Sequence, residues 1–118
     1  MSTPLEASCH CGAVRVTIPT APAYINECNC SFCVKRGATW GYFTRAEVIP
    51  SGDTSGYVHA RMANPFVRVY FCPNCGCTTH GVACDDTIDW TIVNMRLFDP
   101  DIIAGVEIRY PDGRNWTR

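Results

Sequence analysis

Nine cysteines in a chain of 118 residues constrain its fold more than any other feature of the sequence. Seven of them fall into closely spaced sets, which are Cys9 and Cys11, then Cys28, Cys30 and Cys33, then Cys72 and Cys75. Closely spaced cysteines on tight turns bring soft thiolates to one point, and zinc prefers such ligands. We therefore predict metal sites rather than structural disulfides.

A secreted disulfide scaffold is the alternative explanation for so many cysteines. Against it, the number of cysteines is odd, and short C-x-C and C-x-x-C spacings suit metal better than long-range bridges. The first eight residues also lack the basic start and apolar stretch of a signal peptide. We accordingly expect a reducing compartment, the cytoplasm.

Composition narrows the class of protein further. The chain is 47% hydrophobic and 18% charged, with a formal net charge of −1, which indicates a globular domain without a basic excess. Neither a nucleic acid nor an anionic membrane is expected as a partner. No apolar run approaches the roughly 20 residues of a membrane span, and no linker divides residues 1–118, so we predict a single domain.

Short segments of β-prone or alternating residues recur between turn signals, which predicts a mainly-β fold. Strands are expected at 13–18, 23–26, 39–43, 57–59, 66–71, 78–82, 88–93 and 106–110. Residues 1–7 are expected to form a loose start and residues 50–56 a loop. A turn or short helix should follow Cys33 and end at Gly37.

A complete metal site is predicted from two of the cysteine sets. Cys72 and Cys75 form a C-x-x-C turn in which Gly76 can adopt a positive φ. A structural zinc takes four ligands, and the best donor of the other two is the pair Cys9 and Cys11. A redox dithiol at Cys72 and Cys75 is the alternative, but the chain lacks the βαβ setting of such motifs.

His10 could replace one of the cysteines of this site as a ligand. We interpret it instead as a surface residue or a neighbour of the ligands.

The remaining triplet, Cys28, Cys30 and Cys33, is one ligand short of a closed zinc site. Three thiolates donate so much charge that zinc there should ionise water poorly, and the site is better suited to a fourth thiolate from a small thiol substrate. Addition of that sulfur to an electrophilic carbon, or the reverse, is the expected reaction. These three cysteines are therefore the candidate catalytic residues.

The main alternative to an open catalytic site is a triplet whose metal is closed by a fourth ligand from the protein. The fourth ligand could be a side chain of the chain itself, with candidates Cys77, Cys84, His59 and His80. Both zincs would then be structural, and the protein would be a non-catalytic binding or scaffold module. Otherwise Cys77 and Cys84 are interpreted as small buried apolar residues.

Several side chains could help to bind a thiol substrate beside the triplet, although each could equally have a purely structural role. Candidate partners for substrate carboxylates are Lys35, Arg36, Arg45, Arg61 and Arg68. Candidate pocket walls are Trp40, Tyr42 and Phe43, and candidate proton donors are His59, His80 and Tyr42. None of these stands out from spacing alone.

The order of the motifs resembles that of one family. C-H-C-G before a strand, then C-x-C-x-x-C, then F-C-P-x-C-G is similar to the glutathione-dependent formaldehyde-activating enzyme family, which is related to the centromere protein V group. The similarity extends from Cys9 to about Trp116. The chain departs from the family pattern at Asn29, where His is common, and at Cys77, where Thr or Ser is commoner.

This resemblance implies a fold, metal ligands and an activity. The fold would be a β-tent of antiparallel sheets built around zinc. A structural zinc would be bound by Cys9, Cys11, Cys72 and Cys75, and a catalytic zinc by Cys28, Cys30 and Cys33. The activity would be that of a carbon–sulfur lyase, which forms S-(hydroxymethyl)glutathione from glutathione and formaldehyde.

Overall fold

Two β-sheets dominate the computed structural model, which describes residues 3–58 and 65–115. The strands within these ranges are β1 (Leu5–Ser8), β2 (Arg15–Ile18), β3 (Tyr24–Asn26), β4 (Trp40–Phe43), β5 (Ile49–Ser51), β6 (Ser55–Val58), β7 (Val67–Phe71), β8 (Thr78–Ala83), β9 (Thr91–Asn94) and β10 (Glu107–Arg109). One α-helix, α1 (Ser31–Arg36), accompanies them, with 3₁₀ turns at Arg45–Glu47, Met95–Leu97 and Gly113–Asn115. The prediction of a mainly-β fold is confirmed.

The smaller sheet has the strand order β1-β2-β5, and the larger sheet has the order β10-β3-β4-β9-β8-β7-β6. Every pairing is antiparallel except that of β10 with β3, which is parallel. The antiparallel sheets that the family resemblance implies are thus present, with one parallel pairing added at this edge. Strands β9 and β3 run in the same direction. Residues 95–106 cross from β9 to the edge of the sheet beside β3, and β10 therefore pairs with β3 in that same direction.

The strand boundaries depart from the sequence prediction in a few places. The expected loose start contains β1, whose Ala7 pairs with Val16 of β2. The expected loop over residues 50–56 contributes to β5 and β6, and the strand expected from residue 88 begins only at Thr91. The strand expected at 57–59 is present as β6 up to Val58, and His59 lies outside the described residues.

The central strands of the larger sheet carry buried side chains on both faces. On one face, Ile25, Val93 and Met95 pack against Val16 and Ile18 of the smaller sheet. A second cluster includes Trp40, Val69 and Ile92 together with Cys30 and Cys33 of the α1 region. Because side chains alternate along a strand, neighbours such as Ile92 and Val93 serve opposite faces. The cysteine triplet is thus part of a packed core.

Two local features define the ends of α1. The Cys30 side chain caps the N-terminus by accepting a hydrogen bond from the Cys33 backbone N–H at 3.4 Å. Gly37 ends the helix in the left-handed conformation, with φ of 63°. The prediction that a short helix or turn ends at Gly37 is confirmed.

Candidate metal centres

The first metal centre lies where the loops of two β-hairpins meet. The loop between β1 and β2 carries Cys9 and Cys11, and the loop between β7 and β8 carries Cys72 and Cys75. The four Sγ atoms all lie within 4.8 Å of one another. The sequence prediction paired these two sets, and the structure brings them together across the two sheets.

The spacing of these sulfurs fits zinc. Cys11 Sγ lies 3.7 Å from Cys9 Sγ and 3.6 Å from Cys72 Sγ. Four sulfurs around a tetrahedral zinc at 2.3 Å would be about 3.8 Å apart. All four thiols are free rather than disulfide-bonded. This group of residues could therefore hold a metal ion as a closed, four-thiolate site.

Hydrogen bonds reach several sulfurs of this group and lower the pKa of two of its thiols. The Val14 N–H donates to Cys9 Sγ at 3.3 Å. A hydrogen bond from the Cys77 backbone N–H is the main cause that lowers the pKa of Cys75 to about 5. The Asn74 side chain is the main cause that lowers the pKa of the Cys11 thiol. Gly76 has a φ of 82°, so the prediction of a positive φ at this turn is confirmed.

The second centre is the triplet Cys28, Cys30 and Cys33, whose Sγ atoms also lie within 4.8 Å of one another. Cys28 follows β3 and is half-buried, whereas Cys30 and Cys33 are buried at the start of α1. The buried Trp40 donates a hydrogen bond from Nε1 to Cys33 Sγ at 3.2 Å. Trp40, a candidate pocket wall from its sequence position, is a hydrogen-bond partner of a candidate ligand and does not line the cavity at the triplet.

Burial disfavours the thiolate form of Cys33 unless a cation lies nearby. Desolvation raises the pKa of the Cys33 thiol to about 12, and the hydrogen bond from Trp40 opposes that shift only in part. This buried thiol would remain protonated near neutral pH unless a positive ion stabilised its thiolate form. The donor chemistry of the triplet therefore fits a thiophilic metal such as zinc.

Within residues 3–58 and 65–115, no fourth His, Cys, Asp or Glu joins the triplet. Cys77 packs beside the other centre, against Cys9 and Cys72. Cys84 is exposed, so the interpretation of Cys84 as a buried apolar residue is wrong. It follows β8 at the surface, where its N–H bonds to the Phe66 carbonyl at 3.0 Å.

The histidines considered as ligands or proton donors lie elsewhere. His80 is buried on β8, stacks on Tyr70 with ring centroids 5.0 Å apart, and has its Nδ1 2.9 Å from Thr79 Oγ1. His10 is exposed and is absent from the group of four thiols. His59, a candidate for both roles, lies outside the described residues.

Burial of His80 predicts an acid-sensitive fold. Desolvation lowers the pKa of His80 to about 4, whereas an unfolded histidine titrates near 6.5. Between these values the unfolded chain binds more protons, so stability should fall as the pH is lowered through this window. We expect the wild type to lose roughly 3 kcal/mol more than His80→Gln between pH 7 and pH 4.

Urea unfolding of the two proteins across this range measures that difference. Proton uptake by the cysteine groups affects both proteins alike and cancels. Parallel stability curves for the two would contradict this account of His80.

A cavity of about 340 Å³ adjoins the triplet. Its lining consists of Glu27, Cys28, Asn29, Cys33, Val34, Gly37, Ala38, Arg96, Tyr110 and Pro111. A second cavity of about 360 Å³ lies beside Cys75 and Cys77 and shares Gly37 and Arg96 with the first. Sequence reasoning missed Arg96 and Tyr110, because neither lies near a cysteine in the sequence.

The structure assigns most of the predicted pocket residues to other contacts. Tyr42 Oη accepts a hydrogen bond from Asn26 Nδ2 at 2.8 Å, and burial raises the pKa of this phenol. Phe43 packs against the core between the sheets. Neither residue lines the cavity at the triplet.

None of the predicted cations within the described residues lines the cavity at the triplet, although Arg36 borders the second cavity. Arg36 lies over the rings of Phe32 and Tyr57, at 4.1 and 4.6 Å from their centroids. Arg45 donates to the Ala83, Asp85 and Ile88 carbonyls. Lys35 and Arg68 line neither cavity, and Arg61 lies outside the described residues.

Fold and geometry together define a mainly-β protein with two cysteine groups suited to metal. The family described as glutathione-dependent formaldehyde-activating enzyme matches residues 4–113. The chain belongs to this family, as the order of its cysteine motifs indicated.

A curated relative carries the name of this family, and a solved structure shares the fold. A protein of Halomonas elongata named "Putative glutathione-dependent formaldehyde-activating enzyme" is 49% identical over 39 residues, which cover 32% of this chain and 25% of that protein. The match thus spans about a quarter of the length of that relative. The crystal structure of a Rhodobacter sphaeroides protein has a TM-score of 0.67 at 23% identity and covers 89% of this chain and 100% of the other. That likeness shows a shared fold.

Membrane insertion through a helix finds no support in the described part of the chain. None of its helices is long and apolar enough to cross a membrane.

Proposed function

We propose that this chain is a zinc-dependent carbon–sulfur lyase that forms and cleaves S-(hydroxymethyl)glutathione, with glutathione and formaldehyde as the other reaction partners. The observation that carries the proposal is the triplet of converging thiols, which no fourth described ligand joins and which opens onto a cavity. Membership of the family supports the choice of thiol and aldehyde. Residues 1–118 would form one such domain, acting in a reducing compartment such as the cytoplasm.

The two cysteine groups would have separate tasks. Cys9, Cys11, Cys72 and Cys75 would hold a structural zinc, and Cys28, Cys30 and Cys33 would hold a catalytic one. When bound at the triplet, zinc supplies a fourth coordination position that keeps a substrate sulfur in its thiolate form near neutral pH. The half-buried Cys28 and the buried Cys33 both border the cavity, so a thiol entering it reaches the triplet directly.

The reaction itself needs no oxidant or reductant. The glutathione sulfur donates an electron pair to the carbonyl carbon, so a C–S bond forms while the C=O π pair moves to oxygen. The proton lost from the thiol is balanced by the proton gained at that oxygen, and the product is a hemithioacetal. The cavity would orient the thiol and limit access of water to the reacting carbon.

Arg96 is the cation best placed to orient an anionic thiol. It lines both cavities, and its Nη2 lies 3.5 Å from Glu27 Oε1, a distance at the limit of a hydrogen bond. More than half of its side chain is exposed, at 57%. A substrate carboxylate could therefore contact this guanidinium while the sulfur reaches the triplet.

The proposed activity is tested by exchange NMR with ¹³C-formaldehyde and glutathione. This adduct also forms without a catalyst, so the measurement compares the exchange rate with and without zinc-loaded protein. We expect the protein to accelerate exchange between formaldehyde and the adduct without changing their equilibrium ratio. An exchange rate equal to that of the protein-free solution would refute the proposal.

Arg96→Ala is expected to weaken glutathione binding roughly three- to tenfold, as loss of one partly screened charged hydrogen bond implies. 2-Mercaptoethanol, a neutral thiol without carboxylates, should bind the variant as well as it binds the wild type. Lys35→Ala is the matched control, because it removes the same charge from a residue that lines neither cavity. Titration of both thiols into zinc-loaded protein measures these affinities, and equal weakening for both would contradict a carboxylate contact.

A further inference from the structure

The segment that follows β10 lies against the loop that carries the cysteine triplet. The Glu27 N–H donates to the Arg109 carbonyl at 2.8 Å, and the Asn29 N–H donates to the Pro111 carbonyl at 3.4 Å. The Asn29 side chain adds two contacts to the same segment. Its Nδ2 donates to Asp112 Oδ1 at 2.7 Å, and its Oδ1 accepts from the Arg114 N–H at 3.0 Å.

Asn29 uses both ends of its amide, and this fixes the orientation of the side chain. The donor faces a carboxylate, and the acceptor faces a backbone N–H, so a flipped amide would lose both hydrogen bonds. Asp112 is held on its other side as well, because Asn115 Nδ2 donates to Asp112 Oδ2 at 2.7 Å. Consistently, these side chains, Asn29 first, lower the pKa of Asp112.

The position of this segment shapes the cavity at the triplet. Tyr110 and Pro111 line that cavity, and Tyr110 is 72% exposed. All three residues of β10 are exposed, so this strand lies on the edge of the sheet with little burial of its own. Arg109 adds a cation–π contact with Tyr24 at 3.8 Å from the ring centroid. With so little burial, polar contacts contribute much of what holds Tyr110 and Pro111 in place.

We propose that Asn29 is a positioning residue that clamps residues 110–114 onto the triplet loop and so fixes Tyr110 and Pro111 as one wall of the thiol cavity. Because Asn29 lies between Cys28 and Cys30, the same short loop would hold both the candidate ligands and this wall. The identity of the thiol rests on the proposed function, whereas the clamp itself does not.

A pair of variants tests the clamp through its hydrogen bonds. Asn29→Asp places a second carboxylate beside Asp112 and removes the donor between them. The double variant Asn29→Asp with Asp112→Asn exchanges donor and acceptor. The new amide at position 112 can donate to position 29 and still accept from Asn115, and the net charge is that of the wild type.

Hydrogen exchange of the peptide covering residues 107–115 in the full, zinc-loaded chain is the readout. We expect exchange in Asn29→Asp to be about tenfold faster than in the wild type. In the double variant, the exchange rate should return to within about twofold of the wild-type rate. Unchanged exchange in the single variant would overturn the clamp, as would a double variant that exchanges as fast as the single one. Zinc content should be equal in all three proteins, because no candidate ligand is altered.

Glutathione affinity in the same three proteins tests whether Asn29 fixes the cavity wall formed by Tyr110 and Pro111. Weaker binding in the single variant and recovery in the double variant are expected. Equal affinities in all three proteins would overturn the role of Asn29 in shaping the cavity. A wild type that binds no glutathione would instead contradict the proposed function, and hydrogen exchange would still decide the clamp.

Discussion

Cys11→Ser is expected to lose one of two zinc ions and about 5 kcal/mol of unfolding free energy, although Cys11 is an exposed residue. An exposed side chain ordinarily contributes little to stability. Cys11 would be different because its sulfur lies within 3.7 Å of Cys9 Sγ and Cys72 Sγ, at the junction of two hairpins from different sheets. Without one ligand, the metal could no longer join these hairpins.

Cys84→Ser is the matched control for this prediction. Cys84 is also exposed, and it lies outside both cysteine groups, so we expect full zinc content and a change within about 0.5 kcal/mol. Zinc per chain by mass spectrometry and urea unfolding monitored by circular dichroism measure both effects. Similar stability of the two variants would contradict a structural metal at Cys9, Cys11, Cys72 and Cys75.

Cys30→Ser is expected to abolish lyase turnover and to lose about one zinc while the protein stays folded. Cys30 would be a ligand of the catalytic zinc, and its sulfur also accepts the capping hydrogen bond from the Cys33 N–H. Serine is a favoured N-cap residue, so α1 should persist in the variant. The buried hydroxyl itself should reduce the unfolding free energy by only about 1–2 kcal/mol, and loss of the zinc bound to the folded state adds a further decrease.

Cys77→Ser provides the comparison for the triplet variant. Cys77 is half-buried and packs beside the other centre without belonging to either cysteine group. We expect this variant to retain both zinc ions and its activity. Exchange NMR with formaldehyde and glutathione, combined with zinc analysis, separates the outcomes. Full activity and two zinc ions in Cys30→Ser would refute the assignment of the triplet.

The features that could be predicted from the sequence are those determined by residues close together in the chain. The C-x-x-C turn at Cys72, the positive φ of Gly76 and the hairpin from β7 to β8 all arise within a few residues of one another. Alternation of apolar and polar residues likewise located β2. These signals are local, so spacing and residue type were enough to place them.

Features that depend on distant parts of the chain were missed. The contact between Asn29 and Asp112 joins residues 83 positions apart, and no pattern near either residue indicates it. Arg96 reaches the cavity only because β9 lies beside β4 in the larger sheet. The parallel pairing of β10 with β3 likewise depends on how residues 95–106 cross the sheet. Tertiary packing, rather than local preference, decides such contacts.

The central claim is that a thiol from outside the chain completes the metal site at Cys28, Cys30 and Cys33. Zinc-edge X-ray absorption of the two-zinc protein, with and without glutathione, tests it most directly. We expect the average number of sulfur ligands per zinc to rise from about 3.5 to about 4 when glutathione is added. An average of about 4 before addition, unchanged afterwards, would show that the protein itself closes both sites and would contradict the account.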